Sequence, residues 1–151
     1  MIRNLILILG DQLNLDNPAL EDFDADQDHI LMVECADEAT HVWSHKARIV
    51  LFLSAMRHFY SMLATRMGIA LQSTYLKLGT HEFTSLKATW AHSIETLQPQ
   101  KVIVYEPGEY RLEQDLIALC KQQKVQLVIR DDTHFMCSKA DFKSWAGAGE
   151  K

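Results

Sequence analysis

Short apolar runs alternate along this chain with longer stretches in which apolar residues recur every third or fourth position. Leu5 to Leu9 is a continuous apolar run broken by Gly10, the pattern of a strand buried on both faces. A second run, Ile30-Leu31-Met32-Val33, ends at Glu34. Ile49, Phe52, Leu53, Met56, Phe59, Tyr60, Leu63 and Met67 then recur at helical spacing, with Gly68 placed as a left-handed stop. Val50, Leu51 and Met62 widen that stripe, so this helix is expected to be covered on more than one side, as by another domain. Tyr75, Leu76 and Leu78 predict a third strand ended by Gly79. Thr84 or Ser85 caps a helix whose buried stripe is Leu86, Trp90, Ile94 and Leu97, and Pro99 closes that region. Val102-Ile103-Val104-Tyr105 is a fourth strand, stopped by Glu106-Pro107-Gly108. A helix with Leu112, Leu116, Leu119 and Cys120 on one face leads to a fifth strand at Val125, Leu127, Val128 and Ile129. Asp131-Asp132 turns the chain, and Asp141 to Trp145 starts a last short helix.

Buried strands alternating with amphipathic helices require βαβ crossovers, so the fold class is α/β with a doubly wound, five-stranded parallel sheet. The first connection is the exception. Asp16 to Asp28 carries six acidic and no basic residues with no helical period, and reads as a solvated loop with one irregular turn. One domain is expected over residues 1–146, with 147–151 as a flexible tail at a domain boundary.

Composition narrows the class of partner. The 151 residues are 48% hydrophobic and 23% charged, enough apolar material for one core without disulfide or metal staples. The formal net charge of -5 leaves too few cations to displace counterions from a phosphate backbone, so this domain is not expected to bind nucleic acid directly. The apolar start is too brief for a signal peptide and leads into Gly10-Asp11-Gln12. No stretch reaches the roughly 20 apolar residues that span a bilayer, so no membrane partner is expected. Cys35, Cys120 and Cys137 are odd in number, widely spaced and free of any CxxC, as expected for free thiols in a reducing cytoplasm.

Candidate chemistry gathers at the strand ends, because ligands of open parallel sheets sit outside the carboxyl edge near the point where strand order reverses. Those ends are Gly10-Asp11-Gln12, Glu34 to Glu38, Gly79-Thr80-His81, Glu106 to Glu109 and Asp131-Asp132. The carboxylates there would repel a polyphosphate, and neither GxGxxG nor GxxxxGK[ST] is present. A neutral, hydrogen-bonding heterocycle or polyol suits such a rim. Gly10-Asp11-Gln12 reads either as a ligand edge or as a turn in which glycine supplies conformational freedom. Glu34 and Glu38 serve either a ligand or a helix dipole. His41 and His45 have a metal-like spacing but no evident third ligand, so no metal site is assigned. Asp131, Asp132 and His134 cluster without a nucleophile elbow, and Ser54 lies inside the long helix, which argues against a hydrolase. Trp43, Trp90 and Trp145 read as core or interface residues. Arg111, opposing the helix dipole beside Glu109, requires an acidic partner within the fold or on a second domain.

Several segments together resemble a known family. They are Leu7-Ile8-Leu9-Gly10-Asp11-Gln12-Leu13, Glu38-Ala39-Thr40, His45-Lys46, Ser54 to Phe59, Glu106-Pro107-Gly108-Glu109-Tyr110-Arg111 and Phe135-Met136-Cys137-Ser138. In order and spacing this series resembles the amino-terminal (Rossmann-like) domain of the deoxyribodipyrimidine photolyase-related proteins, the iron–sulfur bacterial cryptochromes and (6-4) photolyases. The resemblance implies strand order 3-2-1-4-5, with Gly10-Asp11 beside Glu106-Pro107 at the switch point. It implies an antenna chromophore, 6,7-dimethyl-8-ribityllumazine, contacted at Gly10, Asp11, Gln12 and Glu38. Val33 and Glu34 are expected close by, and Ile49, Phe52 and Leu53 as an apolar wall. His41 stands where relatives often have an aromatic. FAD, the iron–sulfur cluster and damaged DNA are expected only at a helical domain that follows in relatives, so the three cysteines are not assigned to the cluster. The implied function is an antenna-binding and structural domain of a lyase-class flavoprotein in light-driven DNA repair or light sensing, with no catalytic residue of its own. The alternative is a stand-alone regulatory or protein-interaction module without chromophore.

Overall fold

Each β-strand sends alternate side chains to opposite faces, and the computed structural model, which describes residues 1–67, 72–133 and 136–147, shows what covers each face. The strands are β1 (Asn4–Leu7), β2 (Asp28–Val33), β3 (Ser73–Leu76), β4 (Lys101–Tyr105) and β5 (Gln126–Arg130). The helices are α1 (Ala36–Thr40), α2 (Lys46–Met67), α3 (Leu86–Leu97), α4 (Tyr110–Gln123) and α5 (Lys139–Ala146), with a 3-10 turn at Pro18–Leu20. All strand pairs are parallel, in the order β3-β2-β1-β4-β5. This is the predicted α/β fold and strand order.

Leu5, Leu7, Leu31, Val33, Val102 and Val104 face α3 and α4, where Trp90, Ile94, Leu116 and Leu119 close one core layer. Ile6, Ile8, Ile30, Met32, Ile103 and Tyr105 face the other way, against Met56, Phe59 and Leu63 of α2 and against Ala19 and Leu20. Continuous apolar runs in β1, β2 and β4 are thus the signature of strands covered on both faces. Helix ends follow their caps. Ser85 accepts the Ala88 N–H at the start of α3, and Ser138 with Asp141 forms a capping box on α5.

The structure differs from the sequence pattern in three places. The acidic connection is more than a solvated loop, since Asn17, Ala19, Leu20 and Asp28 are buried. The Asn17 side chain accepts the Ala19 N–H and turns Ala19 and Leu20 into the core, while Asp28 is held by Arg3 at 2.5 and 2.8 Å. Helix α1 has no counterpart in the periodicity, because five residues are too few to carry a helical period. The stripe of α2 is only half used: Val50, Leu51, Phe52 and Met62 remain between 40% and 71% exposed. The predicted stop at Gly68, together with His134, Phe135 and residues 148–151 of the tail, lies outside the described residues.

Candidate functional site

Strand order reverses between β1 and β4, and the crevice of a doubly wound sheet opens at that point. Gln12 ties the two strand ends together. Its side-chain amide donates to the carbonyls of Tyr105 (2.9 Å) and Glu106 (3.2 Å), and its own carbonyl accepts from Asn17. Gln12 is therefore buried and braces the corner without lining the crevice. Gly108 brings the β4–α4 loop against the same corner, where a side chain's Cβ would stand 3.3 Å from Asp11 Oδ2.

A groove of about 300 Å³ opens above the ends of β1 and β2, between α2 on one side and α3 with α4 on the other. Gly10, Asp11, Val33, Glu34, Glu38 and Phe52 all line it, so the fold gathers every predicted site residue there except Gln12. Ile49, Leu53 and Met56 supply an apolar wall, and Glu109 reaches the rim from the start of α4. Gly10 does not adopt a positive φ. Its lack of a side chain serves close approach instead: a Cβ there would meet the Phe52 ring at 2.6 Å and Met56 Sδ at 2.9 Å.

The carboxylates of the site are in different states. Glu34 has no exposed side-chain surface and is fully engaged. Arg57 donates to both of its oxygens at 2.7 Å, the Leu78 N–H at 2.8 Å, and the Tyr75 hydroxyl completes the set. Burial opposes ionisation of Glu34, but these donors outweigh it and bring its pKa down to about 2. Glu34 thus borders the groove while its charge is spent on the fold. Glu38 and Glu109 are held by Arg111, which donates to Glu109 at 2.7 Å and to Glu38 at 3.0 Å. That pairing supplies the acidic partner Arg111 requires, and it lies within the domain. Asp11 makes no ion pair among the described residues. Although water reaches its outer side, partial burial raises the pKa of its carboxyl, and the charges of Asp132 and Glu109 raise it further.

Such a groove combines an apolar wall with hydrogen-bond acceptors along one rim. It suits a flat heterocycle carrying hydroxyl donors. His41 and His45 are exposed, and among the described residues no three His, Cys, Asp or Glu side chains come together as a metal site. Cys35 and Cys120 are buried free thiols, Cys137 an exposed one. Burial raises the Cys35 pKa despite the contact to Thr89, and Cys120 is pushed up to about 11. Trp90 is core, while Trp43 and Trp145 are over 80% exposed. No helix among the described residues is long and apolar enough to cross a membrane.

Residues 6–151 match the family described as deoxyribodipyrimidine photo-lyase-related protein. The chain belongs to that family. It is also 35% identical, over 99% of its own length, to a (6-4) photolyase of Agrobacterium fabrum, and spans 29% of that relative. In this photo-lyase-related domain the groove residues missed by sequence reasoning include Val42, Ser44, Arg48, Leu86, Trp90 and Leu112. Helix periodicity placed Leu86 and Trp90 in the core, which they also serve, and only packing brings them to the groove. Ser44 reaches the site from the loop between α1 and α2, and Arg48 from the first turn of α2, ahead of the apolar stripe that announced that helix.

Proposed function

We propose that this domain binds 6,7-dimethyl-8-ribityllumazine as an antenna chromophore in the groove at the β1/β4 switch point. It would act as the light-harvesting and structural part of a photolyase- or cryptochrome-like flavoprotein engaged in DNA repair or light sensing. The observation that carries this reading is the composition of the groove, an apolar wall from α2 facing the acceptors Asp11, Glu38 and Glu109. A ribityl chain offers hydroxyl donors to carboxylates, and a lumazine ring offers a flat face to Phe52, Ile49 and Leu53. Volume agrees, since about 300 Å³ stands at the small end of ligand pockets.

The residues divide the work. Asp11, free of any ion pair among the described residues, accepts from the ligand's hydroxyls, while Arg111 fixes Glu38 and Glu109 in place at the rim. The α2 wall excludes water from the ring. When bound, the chromophore supplies absorption of light and transfer of excitation to a flavin. FAD and an iron–sulfur cluster are assigned to a helical partner domain, and DNA contact to that domain as well. The uncovered apolar side of α2, with Val50 and Leu51 exposed, is the face we assign to that partner.

The test is titration of the purified chain with 6,7-dimethyl-8-ribityllumazine, followed by its fluorescence. Saturable quenching that weakens roughly tenfold in Asp11→Ala and in Glu38→Ala is expected, as each removes a charge-assisted bond. A flat titration of the folded chain would remove the lumazine from this reading.

A further inference from the structure

Phe52 is an odd wall. Its residue is 46% exposed, yet the tip of its ring lies so close to Gly10 that no side chain fits beneath it. The ring therefore rests on the end of β1, with Met56 Sδ beside it, and the rest of its surface is open to the groove. Because Gly10 has no positive φ, alanine is permitted there by the backbone. What forbids alanine is the ring. In a groove of about 300 Å³, one phenyl ring is a sizeable share of the space.

We propose that Phe52, seated on Gly10, sets the depth of the groove and so selects a two-ring over a three-ring ligand. For its ligand this rests on the lumazine reading; for the depth it rests on geometry alone. Riboflavin carries the same ribityl chain as the ribityllumazine and differs by one additional fused benzenoid ring. The Phe52 side chain is itself a benzene ring lining the groove and seated on Gly10, so removing it vacates a space of matching shape. Filling such a hole restores contacts that a void forfeits, whereas forcing an extra ring into the occupied site displaces side chains. Gly10→Ala acts in the opposite sense. It lifts the ring tip and pushes it into the space a ligand needs.

Two measurements test this. The first titrates wild type, Phe52→Ala, Phe52→Leu, Gly10→Ala and the Gly10→Ala/Phe52→Ala double variant with both compounds, read by fluorescence. Wild type is expected to prefer the ribityllumazine by roughly tenfold or more, the scale on which a pocket rejects added bulk. Phe52→Ala narrows or inverts that ratio, with Phe52→Leu between. Gly10→Ala weakens lumazine binding, and the double variant regains it, because the clash with the ring is gone.

The second needs no ligand. Cys35 lines the same groove and is 3% exposed, whereas Cys120, on the buried face of α4, is 2% exposed and does not line it. In a Cys137→Ser background, Phe52→Ala should speed N-ethylmaleimide labelling of Cys35 relative to Cys120 by roughly tenfold, as local opening does without global unfolding. An unchanged Cys35/Cys120 ratio overturns the proposal, as does an unchanged ligand ratio in a chain that binds the lumazine. Faster Cys35 labelling with neither compound bound by any variant leaves the depth role standing and removes the lumazine reading instead.

Discussion

Glu34 and Asp11 lie at the same groove with opposite energetic signs. Glu34 is ionised and bound in the folded state, with its pKa drawn from an ordinary 4.5 to about 2. A depressed acid contributes stability that is present above its unfolded pKa and lost as pH falls through the folded one. Acid unfolding should therefore draw on Glu34 between about pH 4.5 and pH 2. Glu34→Gln is expected to destabilise the chain by about 2 kcal/mol at pH 7, the scale of buried bonds to a charged group, and by much less near pH 2. Urea melts at the two pH values measure it. Asp11 runs the other way. Burial, then the neighbouring Asp132 and Glu109, raises its pKa, so ionising it costs folding energy and stability is gained as pH falls through that raised value. Asp11→Asn should leave the melting temperature at pH 7 unchanged or higher, within about 0.5 kcal/mol for a water-exposed site. A clear loss of stability would mean that the Asp11 carboxylate holds the corner together.

Elements in this fold end in ways that can be tested separately. Helices α3 and α4 both stop at a non-glycine residue in left-handed backbone, Gln98 with φ 48° and Lys124 with φ 55°. The Cβ at such positions is strained, so Gln98→Gly or Lys124→Gly should raise stability by up to about 1 kcal/mol, visible as a higher urea midpoint at constant slope. Helix α5 has no buried residue. Lys139 ties it to the body, reaching Glu106 at 2.6 Å and Glu113 at 2.8 Å. Exposed pairs of this kind contribute up to about 1 kcal/mol. Lys139→Ala should therefore release α5 locally, with faster amide exchange over residues 139–146 and a nearly unchanged global melt.

For the whole molecule, the unusual feature is the outer side of α2. Val50 and Leu51 are 65% and 71% exposed, and the segment from Ala39 to His81 contains no acidic residue in a chain of net charge -5. An exposed apolar face of this kind is suited to an apolar partner surface. Leu51→Lys should leave the fold's stability within about 0.5 kcal/mol while lowering any self-association of the isolated chain. Sedimentation at rising concentration checks the second effect and a thermal melt the first.

Periodicity in the sequence determined the five strands, the principal helices and which residues face the core, because side-chain direction follows chain position within one element. Leu5 to Leu9 and Val102 to Tyr105 announced strands covered on both faces, and the order of motifs carried the family. The element that escaped was α1, too short for a period, while the 3-10 turn at Pro18–Leu20 was legible only as an irregular turn in the acidic connection. The site was legible as a set of strand ends but not as a set of roles. Whether Glu34 serves a ligand or the fold depends on Arg57 and Tyr75, 23 and 41 residues away. Arg111 meets Glu38 across 73 residues, and Gln12 meets Tyr105 across 93. Gly10 read either as a ligand edge or as a turn glycine, and what it permits is the approach of a ring from α2. Such partners are fixed by which strands and helices become neighbours, and that is decided only when the two core layers close on the sheet.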